Sequence, residues 1–243
     1  MTRIIYFILS FFIMIGVTFA HHANEKYAYS KNYAYKIGDK KNDNAYEFEF
    51  DLQTNDLSKL VEEQLKDKKT GLVSYILFEN NKILVDQNRR SKYRGGYYPS
   101  HSVGKSMVSL VTGYATCSGY LHNNVYKRID YPTVEGTLYE NQRLIDLLHM
   151  MAGDQNFVGE MEHQSDNRIK DKGKSVSSIP IKTLMKRHFV GKDGEQPGVN
   201  FNYSAVTTNV IMNYVIYKTG DDWEKLLHKV FVEDAKVEKR VYF

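Results

Sequence analysis

Pro99-Ser100-His101-Ser102-Val103-Gly104-Lys105-Ser106-Met107 leads into a largely apolar run that continues to Ala115. The run predicts a helix over Met107 to Ala115, entered near Ser102. Ser102 and Lys105 stand three residues apart, so on a helix they share one face and the ammonium reaches the hydroxyl. A helix N-terminus favours negative charge and helps an alkoxide form. A lysine held beside a serine in a partly dry cleft gives up its proton more readily and acts as a base. Such pairs are common by chance, and the surrounding sequence has to decide their meaning.

Upstream, Asp56 is read as the cap of a helix whose apolar face is Leu57, Leu60, Val61 and Leu65. Leu72 to Phe78 and Lys82 to Asp86 predict two strands joined at Asn80-Asn81, because asparagine tolerates the positive φ of a tight hairpin. Downstream, short helices are expected at Leu144 to Met151, stopped by Gly153, and at Ile181 to His188. Ala205 to Lys218 is strongly helical, with Val206, Val210, Ile211, Tyr214 and Val215 on one face and Gly220 as its stop. Trp223 to Phe231 is a last amphipathic helix, and no further strand is expected after residue 100.

Three of these segments resemble, in order, the motifs of serine β-lactamases and DD-peptidases. Ser102-Val103-Gly104-Lys105-Ser106 before an apolar helix resembles the nucleophile motif, in the class C β-lactamase-like branch that includes esterases and 6-aminohexanoate-oligomer hydrolases. Leu144 to Gly153 resembles the helix and turn placed after the nucleophile helix. Pro197-Gly-Val-Asn-Phe-Asn-Tyr203-Ser204, followed by a helix, resembles the tyrosine motif. The hairpin stands where the family has its first two strands, so the likeness runs over about residues 56–235.

The resemblance implies an α+β fold with a helical lobe beside an antiparallel sheet, and no cofactor. It also implies an acyl-enzyme on Ser102. Lys105 and Tyr203 would share the proton work, and the Ser102 backbone N–H would serve as one oxyanion donor. The expected geometry is convergence of Ser102 Oγ, Lys105 Nζ and Tyr203 Oη in one cleft. The substrate would be a small molecule, peptide or ester with a β-lactam, amide or ester carbonyl.

Two departures stand out. The family continues Tyr-x-Asn, whereas Ala205 stands at that place here, which fits the esterase-like members better than a β-lactamase. The family's third motif, Lys-Thr-Gly or His-x-Gly on a late strand, is not found after Tyr203 in a strand setting. Lys69-Thr70-Gly71 precedes the nucleophile and Lys218-Thr219-Gly220 ends a helix, so both triplets are read as decoys. The C-terminal strands of the family fold are accordingly expected to be missing. Two alternatives stand beside the hydrolase: a non-catalytic module that binds cell-wall fragments or another ligand, and an inactive fragment of a longer enzyme.

Composition excludes other classes. With 243 residues, 42% hydrophobic and 26% charged, the chain matches a globular protein. A net charge of +4 with dispersed Lys and Arg argues against a nucleic-acid partner. The lone cysteine, Cys117, is read as a small buried residue. Arg3 and the apolar run Ile4 to Ala20 predict a signal peptide over 1–20, with an uncleaved N-terminal anchor as the alternative, export to a bacterial periplasm, and no stable membrane insertion after cleavage. Residues 21–55 read as a polar leader, loosely ordered or packed across the domain, and 56–243 as the hydrolase domain.

Rival motifs fail on single positions. Gly104-Lys105-Ser106 imitates the end of a phosphate-binding loop, but Pro99 stands where that loop needs glycine. Ser100 stands where a nucleophile elbow needs glycine, so His101 is read as a surface or supporting residue. The histidines show no metal spacing, and Lys170 to Lys174 reads as a solvated loop.

Overall fold

A computed structural model of the chain describes residues 35–38, 41–67, 69, 71–88, 102–158 and 179–242. The predicted signal peptide, Pro99 to His101 and the Lys170 to Lys174 loop lie outside them. In chain order the elements begin with β1 (Lys36–Ile37), β2 (Glu49–Phe50), α1 (Asp56–Lys66), β3 (Ser74–Glu79) and β4 (Lys82–Asn88). They continue with α2 (Val103–Cys117), α3 (Leu144–Leu148), α4 (Ile181–His188), α5 (Ala205–Thr219), α6 (Trp223–His228) and β5 (Val241–Tyr242). The fold is mixed α+β. Two compact units are present, Asp43–Val103 and the remainder of the chain.

The smaller unit is built on the predicted hairpin. Asn80 and Asn81 take φ of 49° and 64°, the left-handed values that a two-residue turn demands. β3 and β4 pair antiparallel from Ser74↔Asn88 to Glu79↔Lys82, with a register shift between Leu77 and Phe78. β2 joins β4 in parallel, Glu49↔Lys82 and Phe50↔Ile83, and Asp51 N and Gln53 N extend the pairing to Ile83 O and Leu84 O. The expected antiparallel sheet is therefore a mixed one of order β2-β4-β3. The added strand is two residues long, too short for an alternation of apolar and polar residues to announce it.

α1 packs on β4, with Ser58, Val61 and Leu65 turned inward. Leu57 and Leu60, predicted on the same apolar face, stay exposed. The cap is Asn55 rather than Asp56. Asn55 Oδ1 accepts from Ser58 N at 2.9 Å, and Asn55 N donates to Ser58 Oγ at 2.9 Å. The capping box needs a hydrogen-bonding side chain three residues after the cap that can accept, and Ser58 meets that need where Lys59 would not. Asp56 instead places its carboxylate in the first turn, where the helix dipole favours it.

The larger unit is helical. α5 is its axis, with α3, α4 and α6 packed on it. The predicted single apolar face is corrected here: Ala205, Val206, Val210, Asn213, Val215, Ile216 and Thr219 are buried around the whole circumference. A helix apolar on all sides is one surrounded by others. β5, a strand not expected from the sequence, pairs antiparallel with β1 through Lys36↔Tyr242 and Ile37↔Val241. β1 lies against α6, and the Tyr35 ring meets Trp223 edge-on at 5.7 Å. Tyr35 and Ile37, in the middle of the polar leader, are thus packed. Among the described residues no helix is long and apolar enough to cross a membrane.

Candidate functional site

α2 begins at Val103, directly after the exposed Ser102, and continues past the predicted end to Cys117. Val108, Val111, Thr112 and Ala115 recur at helical spacing and are buried, which anchors the helix by one side. Thr112 and Thr116 donate back to Val108 O and Thr112 O, so their hydroxyls are satisfied within the helix. Cys117 is exposed, not buried as the sequence suggested. It lies in a surface groove with Ser106, Ser109, Leu110 and Gly113, on the side of α2 turned away from the core.

Lys105 sits half-buried in the first turn of α2. Its Nζ lies over the Tyr203 ring, 4.8 Å from the centroid. An ammonium at that distance is held by the ring quadrupole, on the order of 0.5–2 kcal/mol depending on desolvation. Two residues far apart in sequence are thereby brought together.

Tyr203 is held through its neighbours. Asn202 N donates to Met150 O at 2.7 Å, Gly198 N to Met151 O at 2.8 Å and Glu195 N to Gly153 O at 2.8 Å, so the segment before Tyr203 is stitched to the turn after α3. This close approach requires glycine at 153. Its φ is +70°, and a Cβ there would meet Glu195 O at 2.2 Å. Gly198 is constrained likewise, with φ +81° and Asp146 Oδ1 2.9 Å from where a Cβ would stand. Asp146 is itself fixed by a two-pronged pair with Arg143, Nε to Oδ2 and Nη2 to Oδ1 both at 2.7 Å. After Tyr203, the buried Ser204 caps α5, its Oγ accepting from Thr207 N at 3.2 Å.

Beneath this loop lies a polar cluster that the sequence reading missed. Asp154 is fully buried. Its Oδ2 accepts from Tyr139 OH at 2.7 Å and Thr207 Oγ1 at 3.2 Å, and its Oδ1 from Asn202 Nδ2 at 2.7 Å. A buried carboxylate is tolerated when several donors converge on it. Burial, and then the charge of Asp154, push the Tyr139 phenol well above its ordinary value, so it remains a donor. The available signal was that Asp154 directly follows Gly153, but nothing local announces three partners from two other segments.

Ser102 is exposed in the turn before α2, and the structure pairs Lys105 with Tyr203. Lys218-Thr219-Gly220 ends α5 as expected. Lys218 Nζ pairs with Asp130 Oδ2 at 2.8 Å, Thr219 Oγ1 returns to Val215 O, and Gly220 follows with φ 55°. Thr70 of the other triplet lies outside the described residues. No three His, Cys, Asp or Glu side chains gather as a metal set among the described residues. No protein-family model matches the chain, and no curated protein matches it.

Proposed function

We propose that the chain is a serine hydrolase of the β-lactamase and DD-peptidase type, nearest the esterase and oligoamide-hydrolase members. The observation that carries this reading is the Lys105 ammonium over the Tyr203 ring at 4.8 Å, in the first turn of a helix that starts directly after Ser102. The order of motifs along the sequence supports it.

In this reading Ser102 Oγ attacks an amide or ester carbonyl and forms the acyl-enzyme. Its proton passes to the Lys105 and Tyr203 pair, which delivers it to the departing amine or alcohol. Water then attacks the acyl carbon, the same groups taking its proton and returning one to Ser102. The backbone N–H of Ser102 stabilises the oxyanion. A periplasmic location follows from the predicted export signal.

Turnover of nitrophenyl esters and short anilides tests the reading. The parent should hydrolyse at least one of them, and Lys105→Ala and Tyr203→Phe should each slow it by about 10²- to 10⁴-fold, the usual range for a positioned proton-transfer group. Absence of turnover by the parent, or a parent-like rate in either variant, would contradict it.

A further inference from the structure

We infer that Asp154 is the positioning residue for Tyr203, acting through the two residues that flank it. The inference rests on the proposed hydrolase only for its kinetic consequence. The geometry stands independently.

Asn202 and Ser204, on either side of Tyr203, are 1% and 0% exposed, whereas Tyr203 itself is half-buried. The flanking residues are therefore the fixed points and the phenol is what they present. Both lead to Asp154. Asn202 donates its amide to Oδ1 at 2.7 Å. Ser204 is tied through Thr207, whose backbone N–H it caps and whose hydroxyl donates to Oδ2 at 3.2 Å. Tyr139 OH also donates to Oδ2, at 2.7 Å.

All three of these side-chain donors are neutral, so the cluster is no ion pair. A buried position that served packing alone would be filled at lower cost by an apolar side chain. A carboxylate there accepts three hydrogen bonds from two separate segments at once, which an amide cannot do, because one of its two heads is a donor. The segment Met150 to Asp154 also receives Asn202 N and Gly198 N directly. Asp154 thereby ties side chains on both sides of Tyr203, Asn202 and Thr207, to the turn that carries it.

The test is Asp154→Asn, read in two independent ways. The first is the NMR signal of the Lys105 side chain in protein carrying ¹³C-labelled lysine, assigned with Lys105→Arg. A methylene beside the ammonium, lying over an aromatic ring, is shifted upfield, and the shift reports the Lys105–Tyr203 geometry without any catalysis. It should collapse toward the ordinary lysine position in folded Asp154→Asn, as it should in Tyr203→Ala. An unchanged shift in folded Asp154→Asn overturns the inference.

The second readout is ester turnover in a double-mutant cycle with Tyr203→Phe. Asp154→Asn alone should slow turnover about 10- to 100-fold, the size expected of a misplaced group, and should add nothing further in the Tyr203→Phe background. Full additivity contradicts positioning through Tyr203. A collapsed shift together with parent-like turnover in Tyr203→Phe would leave the positioning intact and refute the hydrolase reading, so the two failures are separable. If Asp154→Asn does not fold, Thr207→Val removes one donor at constant shape. It should move the Lys105 signal part of the way, and no movement would overturn the inference.

Discussion

In the larger unit Leu147, Leu184, Phe189 and Leu227 have no exposed surface, while in the smaller one Phe50, Leu52, Ile76 and Phe78 are 58%, 61%, 59% and 49% exposed. Helices account for the contrast. α5 is enclosed on all sides, so its neighbours bury complete faces. Among its described residues the smaller unit has three strands and one helix; α1 packs on β4, whose Ile83 and Val85 are buried. A sheet of that size supplies little buried apolar area of its own. Its exposed rings partly shield one another: Phe48 meets Tyr46 at 4.7 Å and Phe78 at 5.7 Å, both edge-on. The lesson is that the frame able to hold a side chain at a fixed position belongs to the larger unit, and Lys105, Tyr203 and Asp154 all lie in it.

Truncating the larger unit's interior should have the greatest effect on stability. Leu184→Ala removes a fully buried side chain and should cost about 2–5 kcal/mol in denaturant unfolding. The matching change on α1, Leu60→Ala at a site 52% exposed, should stay within about 0.5 kcal/mol. Equal losses at the two positions would erase the contrast between the units.

A smaller effect is expected in acid, at Asp130 of the larger unit. Burial works to raise the Asp130 carboxyl, but hydrogen bonds from Lys218 and Tyr214, each at 2.8 Å, outweigh it and hold the group below the ordinary carboxylate range. Its value in the folded chain is thus lower than in the unfolded chain. The stabilisation is complete above the unfolded value near pH 4 and disappears as pH falls through the folded one. Asp130 is 56% exposed, so solvent screening limits the contribution to below about 1 kcal/mol. Asp130→Asn should flatten this part of the stability profile below about pH 4. An unchanged slope would show that the pair contributes nothing there.

Features carried by adjacent residues were legible in the sequence. The hairpin at Asn80-Asn81 was readable because both residues had to accept positive φ, and α4 was readable from its spacing. The candidate pair of Lys105 and Tyr203 was reached through motif resemblance. Features that depend on what meets what were not legible. β2 and β5 are two residues each, and only their partners make them strands. The burial of α5 on more than one face follows from the helices around it, since Val206, Val210 and Tyr214 report one face and Asn213 and Thr219 report none. Asp154 is the clearest case: an acidic residue after a glycine reads as a surface turn until Tyr139, Asn202 and Thr207 arrive from elsewhere. The cap at Asn55 was within reach, because Ser58 three residues later completes the box.

The most direct test of the proposed chemistry is the location of a covalent adduct after treatment with a fluorophosphonate probe, read by mass spectrometry of the digested protein. One modified residue is expected, Ser102, with no modification in a folded Ser102→Ala variant. An adduct on another residue, labelling of Ser102→Ala equal to the parent, or an unmodified parent would contradict it.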